Sequence, residues 1–208
     1  MADKIDYNID DLYNAIAFAE GTGFTRTTGI PEKGSTAYGP AGLTGGSGSM
    51  IAYQLANLGR TGIKWSDKEL EFMGRYREHA GKMAKYGNKD WINYIDPDTG
   101  LVDGMTQEEV VKKYEYGGTG DLSVSDKELY EVVAKKLIKS EYERAGGDID
   151  KFIQSWRGPT GHFKGGKDTS YVKKVKKELK ILHQKRKDDL DKSSFNYEQK
   201  LVEDTMYG

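Results

Sequence analysis

One amphipathic segment near the start of the chain most constrains how this protein can fold. Apolar residues recur there at helical spacing, and they are Ile9, Leu12, Ala15, Ile16 and Ala19. The spacing predicts a helix from Ile9 to Ala19 with one face turned to the core. Glu20 comes next and is followed by Gly21 and Gly23, a composition typical of a helix end. The sequence therefore places a carboxylate where a helix stops and the chain turns.

The position of Glu20 suits acid and base chemistry. The negative end of a helix dipole disfavours a charged carboxylate, and partial burial adds to that effect. A carboxyl group that keeps its proton can act as a general acid. For Glu20 alone, a solvated residue at a helix end is the simpler interpretation, so a functional hypothesis needs further motifs.

A glycine-rich stretch, residues 34–46, follows a polar turn and predicts one wall of a cleft. It places small residues around one aromatic side chain, Tyr38. Such a stretch exposes backbone amide and carbonyl groups, so a polymer such as a glycan can approach closely. A second helix is predicted from Met50 to Leu58, before Gly59.

Together these elements resemble the lytic transglycosylases of goose-type lysozyme fold, and most of all those carried in phage particles. The motifs are the helix ending in Glu20-Gly21, the run TAYGPAGLTG from Thr36 to Gly45, and a short helix ending in Leu-Gly. The resemblance implies a mainly α fold, the lysozyme-like α+β superfold, with a helical bundle around a glycan cleft and little or no β-sheet. It implies Glu20 as the catalytic acid. Substrate contacts are implied for Thr36, Tyr38, Gly42, Leu43 and Thr44.

Later motifs follow in the family's order, with departures. Gly-Gly-Asp ends at Asp148, and the segment 155–159 stands where the family has Ala-Tyr-Asn-Ala-Gly. Trp156 replaces the family tyrosine and keeps a stacking surface, and Tyr171 precedes Val172 as in the family's last motif. The resemblance thus adds Trp156 and Tyr171 to the expected substrate contacts. Gly21 replaces a serine, and Thr44 and Gly45 replace Met-Gln.

The remaining chain predicts helices and turns. Helices are expected from Asp67 to about Tyr86, from Thr106 to Tyr114, from a cap at Ser125 to Ala145, and from Asp148 to Trp156. Aspartates from Asp96 to Asp103 favour a turn over a calcium loop, because the twelfth position from Asp96 is Gln107 instead of glutamate. The three histidines lack a metal-ligand spacing. We therefore expect no metal and no cofactor.

Composition bounds the organisation of the chain. Its 208 residues, 36% hydrophobic and 31% charged, fit one domain and a tail. We expect a lysozyme-like transglycosylase domain in residues 1–176 and a charged C-terminal helix or tail in residues 177–208. An apolar stripe would dock this helix, and it consists of Val172, Val175, Leu179 and Leu182. The alternative is a basic arm that touches anionic cell wall, lipid or a partner protein.

Charge and hydropathy limit the partners and the location. The formal net charge of -1 gives no reason to expect nucleic acid. No apolar run approaches about 18 residues, so no transmembrane segment is expected. The N-terminal residues lack the pattern of a signal peptide. We therefore expect synthesis in the host cytoplasm, incorporation into a virion and action on the host cell wall.

The resemblance also implies a reaction and leaves alternatives. A single acid and base, Glu20, would cleave the β-1,4 bond between N-acetylmuramic acid and N-acetylglucosamine in peptidoglycan, leaving 1,6-anhydro ends. The sequence places no second carboxylate near Glu20. A lysozyme-type muramidase, in which water attacks, is one alternative. A virion structural or ejection protein that keeps the fold with weak or no cleavage is another. The expected partners are peptidoglycan glycan strands and other virion proteins.

Overall fold

A computed structural model describes residues 7–21, 37–86, 89–114, 123–157 and 170–207. Within these ranges it has seven α-helices, one 3-10 helix and one two-stranded antiparallel sheet. The elements are α1 Ile9–Glu20, β1 Ala37–Tyr38, β2 Leu43–Thr44, α2 Met50–Ala56, α3 Asp67–Tyr86, the 3-10 helix Lys89–Tyr94, α4 Gln107–Tyr114, α5 Val124–Arg144, α6 Ile149–Arg157 and α7 Ser170–Tyr207. The mainly α class expected from the sequence is confirmed.

Local capping explains where the first helix begins and ends. The side chain of Asn8 accepts a hydrogen bond from the Asp10 backbone N–H at 2.8 Å. At the other end, Gly21 adopts a left-handed conformation with φ of 67° and donates its N–H to the Ala17 carbonyl. Glycine enters this region without steric cost. The helix therefore stops at Glu20, as the sequence predicts.

The third helix also has the predicted bounds, Asp67–Tyr86. Its start is fixed by a reciprocal pair, in which Ser66 Oγ accepts from the Glu69 N–H and the Glu69 carboxylate accepts from the Ser66 N–H at 2.7 Å. The fifth helix differs, because Ser123 caps it instead of the predicted Ser125. Both serines have an acidic residue three positions later, but Asp126 also pairs with Arg75 of α3 at 2.6 Å. That contact favours the earlier start.

The second helix is shorter than predicted and ends at Ala56. The next residue, Asn57, donates its side-chain amide to the Tyr53 carbonyl at 2.9 Å. Its backbone N–H is shared between the carbonyls of Tyr53 and Gln54. The last carbonyl groups of α2 are thus satisfied two residues before the predicted end at Leu58.

One hydrophobic cluster unites the described helices. Each α-helix contributes a fully buried side chain to it, and examples in chain order are Leu12, Ile51, Phe72, Val110, Leu137, Phe152 and Val175. Burying a side chain of this size stabilises the fold by about 1.5–3 kcal/mol. Helix α1 lies in this core with contacts to both α5 and α7. Two helices therefore fix the position of α1, the helix that carries Glu20.

The last helix docks along the predicted stripe and continues past it. Val172, Val175 and Leu179 are fully buried. The helix is continuous across residues 176 and 177, where we expected a domain boundary. Beyond that point the Arg186 guanidinium donates to both oxygens of the buried Asp11 carboxylate, at 3.1 and 2.7 Å. Residues 187–193 are then exposed.

None of the described helices is suited to spanning a membrane. In the part of the chain that the structure covers, no helix combines the length and the apolar character needed to cross a bilayer. The longest of them, α7, is rich in lysine and in acidic residues.

Candidate active site

The hairpin formed by β1 and β2 brings Gly42 onto the carboxyl group of Glu20. Its register pairs Ala37 with Thr44 and Tyr38 with Leu43. Gly42 has a positive φ of 61°, and a Cβ atom at this position would lie 3.1 Å from Glu20 Cδ and 3.2 Å from Oε2. Glycine adopts this backbone conformation without strain, and a Cβ atom here would push the Glu20 carboxyl group away by a few tenths of an ångström. Two residues predicted for the site, Glu20 and Gly42, therefore lie next to each other.

The turn of the hairpin rests on Tyr130, from α5. The Tyr130 hydroxyl accepts hydrogen bonds from the backbone N–H groups of Ala41, at 3.0 Å, and Leu43, at 3.3 Å. The ring packs so closely that a Cβ atom on Gly39 would lie 2.6 Å from it. Burial raises the pKa of the Tyr130 phenol, and the nearby Glu20 carboxylate acts in the same direction. The phenol therefore stays protonated.

Two further aromatic side chains hold the same hairpin. Tyr76, on α3, donates its hydroxyl to the Leu43 carbonyl at 2.6 Å. Trp156, on α6, donates its indole N–H to the Ala41 carbonyl at 3.3 Å. We call Tyr76, Tyr130 and Trp156 the aromatic clamp. Three helices thus fix the backbone that faces Glu20.

The clamp changes the interpretation of Trp156. Its side chain is only 9% exposed and packs at 6.1 Å, between ring centroids, on Phe152. The ring therefore supports the hairpin and does not present the stacking surface for sugars that we expected. Tyr171, at 7% exposure, is also buried. Because its side chain lies in the core, Tyr171 has little surface to offer a ligand.

The other predicted contact residues divide into three groups. The Leu43 side chain is buried, so this residue can offer only backbone groups to a ligand. Thr44 is exposed on the same strand. Thr36 and the side chain of Tyr38 lie outside the described part of the structure. Of the predicted substrate contacts, Gly42 and Thr44 therefore lie on accessible parts of the hairpin beside Glu20.

The departure of the sequence at Gly45 has a steric reason. A Cβ atom on Gly45 would lie 2.5 Å from Ala80 Cβ and 3.3 Å from Arg77 Cα, both on α3. The hairpin is pressed against that helix, and Arg77 Nε donates to the Gly45 carbonyl at 3.2 Å. A longer side chain, such as the glutamine of the family motif, would not fit here without a backbone shift.

The aspartate-rich segment forms the expected turn. The Asp96 carboxylate accepts the Asp98 N–H at 2.8 Å, and this hydrogen bond holds the pKa of Asp96 below its usual value. Asp103 instead accepts hydrogen bonds from Lys85 and Tyr86. Among the described residues, no three His, Cys, Asp or Glu side chains come together as a metal ion would require.

Sequence reasoning missed three residues beside the site, Tyr76, Tyr130 and Arg77. The apolar stripe of α3 indicates a core position for Tyr76, and its partner Leu43 is 33 positions away. Tyr130 lies in the apolar stripe of α5, which indicates core, and its partner Ala41 is 89 positions away. Arg77 is a charged residue on a helix face and carries no local signal. No protein family model, curated protein or solved structure matches this chain.

Proposed function

We propose that this chain is a peptidoglycan lytic transglycosylase that uses Glu20 as its single acid and base. The observation that carries the proposal is the close contact between the Glu20 carboxyl group and Gly42. It joins the two motifs on which the resemblance to goose-type transglycosylases depends, the helix ending in Glu-Gly and the Gly-Leu strand. A lysozyme-like arrangement around a glycan cleft is part of this proposal.

The proposed reaction has two proton transfers. Protonated Glu20 first donates its proton to the bridging oxygen of the β-1,4 bond between N-acetylmuramic acid and N-acetylglucosamine. The C1–O bond breaks with its electron pair on the leaving oxygen, and the acetamido oxygen of the same sugar stabilises the positive charge at C1. Glu20, now a carboxylate, then takes the proton of the C6 hydroxyl while that oxygen bonds to C1. The product carries a 1,6-anhydro ring, and no water is consumed.

The surroundings of Glu20 suit this use of one residue twice. Glu20 is half-buried and faces a hairpin backbone that three aromatic side chains fix, so the groups opposite the carboxyl group have a defined place. The hairpin beside it exposes Thr44. Thr36 and Tyr38 remain proposed substrate contacts from the same stretch. Delivery to the cell wall as a virion component is also part of the proposal.

Analysis of the released fragments tests the proposal. Purified peptidoglycan is incubated with the protein, and the soluble muropeptides are identified by mass spectrometry. We expect 1,6-anhydro ends from the unchanged protein and no release from Glu20→Gln. Glu108→Gln, an exposed position on α4, is the matched control and should keep full activity. Reducing ends would instead indicate the muramidase alternative, and an active Glu20→Gln would remove Glu20 from the mechanism.

The second candidate is a virion structural or ejection protein in which cleavage is weak or absent. Gly45 favours it, because the position where the family carries glutamine has no room for a side chain. Under this alternative the unchanged protein releases no muropeptides but binds stably to other proteins of the particle. Co-purification with purified phage particles, together with the muropeptide measurement, separates the two candidates.

A further inference from the structure

Arg77 is a half-buried cation beside the hairpin. It lies on α3, and its Nε donates to the Gly45 carbonyl at 3.2 Å. That bond uses one of the five N–H donors of the guanidinium group, which are arranged as a planar fork. Among the described residues, no carboxylate forms a salt bridge with Arg77, although charged side chains that lose solvent normally gain a partner.

The other arginines whose side chains the structure describes show the contrast. Arg75 pairs with Glu71 and Asp126, Arg144 with Glu141, and Arg186 with Asp11. All of these arginines are more exposed than Arg77. Arg60 has no carboxylate partner among the described residues either, but it is an exposed residue in a turn. Arg77 is therefore less exposed than these arginines and also lacks a carboxylate partner among the described residues.

Arg77 and Glu20 contact the same segment of the hairpin. Glu20 contacts Gly42, and Arg77 contacts Gly45, three residues farther along the same segment. An extended chain advances about 3.3 Å per residue, so the two contact points lie about 10 Å apart at most. A glycan that lies along this wall with its cleaved bond at Glu20 would bring neighbouring sugar substituents close to Arg77.

We propose that Arg77 binds a carboxylate of the peptidoglycan substrate and so selects muramic-acid glycans over uncharged ones. This inference rests on the proposed function. Guanidinium groups bind carboxylates through two parallel N–H···O bonds, and the donors of Arg77 beyond Nε can serve this purpose. In peptidoglycan the carboxylate belongs to the peptide stem or, where the stem has been removed, to the lactyl group of muramic acid, because the stem is attached to that lactyl group through an amide bond.

A binding assay that excludes cleavage tests the inference. Arg77→Gln and Arg77→Lys are made in the Glu20→Gln background, with Arg60→Gln as the matched control. Each protein is titrated with three soluble polymers: stem-bearing peptidoglycan strands, the same strands with their stems removed, and N-acetylglucosamine oligomers, which have no carboxylate. Circular dichroism confirms that every variant is folded.

For stem-bearing strands we expect Arg77→Gln to weaken binding by about tenfold to a hundredfold. This range corresponds to the free energy of a charge-assisted hydrogen bond. Arg77→Lys should restore part of this loss, because it keeps the charge without the planar fork. Binding of N-acetylglucosamine oligomers should be the same for all variants, and Arg60→Gln should match its parent with every polymer. A loss on stem-free strands assigns the lactyl carboxylate, which is free only after the stem is removed. A loss confined to stem-bearing strands assigns the stem.

Other results overturn the inference. Equal weakening on charged and uncharged polymers would mean that Arg77 only supports the fold through Gly45. Unchanged binding of peptidoglycan by Arg77→Gln would mean that Arg77 does not contact the substrate, and if the unchanged protein, with Glu20 in place, still releases anhydro-muropeptides, the proposed function stands. If the parent neither binds nor cleaves peptidoglycan, the proposed function fails and this inference fails with it.

Discussion

Tyr130→Phe removes one oxygen atom from the centre of the aromatic clamp. In the structure this hydroxyl accepts the N–H groups of Ala41 at 3.0 Å and Leu43 at 3.3 Å, and the side chain is fully buried. Phenylalanine keeps the ring and its packing against Gly39. The change therefore isolates the two hydrogen bonds from the hydrophobic contribution of the ring.

The expected loss of stability follows from those two donors. A buried N–H group that loses its acceptor costs about 1–3 kcal/mol. The Leu43 contact is longer and should lie at the lower end, so the total is about 2–4 kcal/mol. In a domain of this size, each 1 kcal/mol lowers the melting temperature by about 2–4 °C.

Denaturant unfolding measures the loss of stability, and amide hydrogen exchange measures how well the two N–H groups remain protected. Tyr130→Phe should lower the free energy of unfolding and speed exchange at Ala41 and Leu43. Tyr53→Phe is the control, because its side chain is 61% exposed, and it should change neither quantity. Surface substitutions usually change the free energy of unfolding by less than about 0.5 kcal/mol. If Tyr130→Phe lowers it by no more than that, or leaves exchange unchanged at both amides, the Tyr130 hydroxyl does not hold the hairpin.

Two other predictions concern the site and the acid stability of the fold. Alanine in the left-handed conformation costs about 1–2 kcal/mol of folding stability. Gly42→Ala should destabilise the fold by more than this and reduce muropeptide release at least tenfold. Gly59→Ala should show only the cost of the backbone conformation, because Gly59 also has a positive φ but no atom lies within 4 Å of the added Cβ. Equal effects of the two substitutions on stability and on release would contradict the contact with Glu20. Burial alone raises the pKa of Glu69, but hydrogen bonds, led by that from Lys136, outweigh it and hold the pKa below the ordinary value. Stability from Glu69 is therefore complete above the unfolded pKa of about 4.3 and is lost as the pH falls through the folded value, so Glu69→Gln should flatten the acid side of a stability curve measured by urea unfolding.

Helix ends with a single local signal could be predicted from the sequence. α1 stops at Glu20 because Gly21 is the next residue, and α3 begins at Asp67 because Ser66 and Glu69 form a reciprocal pair. These interactions involve neighbours in the chain, so the residue types alone determine them. The start of α5 shows the limit, because Ser123 and Ser125 both have the local pattern and the contact of Asp126 with Arg75 favours one of them.

The supports of the candidate site could not be predicted in the same way. Tyr76, Tyr130 and Trp156 reach the hairpin across 33, 89 and 115 positions in the chain. The resemblance placed Trp156 where the family has a tyrosine and implied a stacking surface for sugars. Its helical spacing with Ile149, Phe152 and Ile153 indicates a buried position, but it does not indicate that the indole N–H would donate to the Ala41 carbonyl. Periodicity predicts which residues are buried, but it does not give their partners.

The aromatic clamp also affects the thermodynamics of any ligand that uses the hairpin. Since Tyr76, Tyr130 and Trp156 already order this backbone, a ligand that contacts it loses little affinity to conformational entropy. Selectivity can then be adjusted at Thr44, whose exposed side chain contributes nothing to the hydrogen bonds beneath it. The hairpin thus separates an inner surface, whose shape is fixed by backbone and buried rings, from an outer side chain, Thr44, whose replacement leaves that inner surface intact.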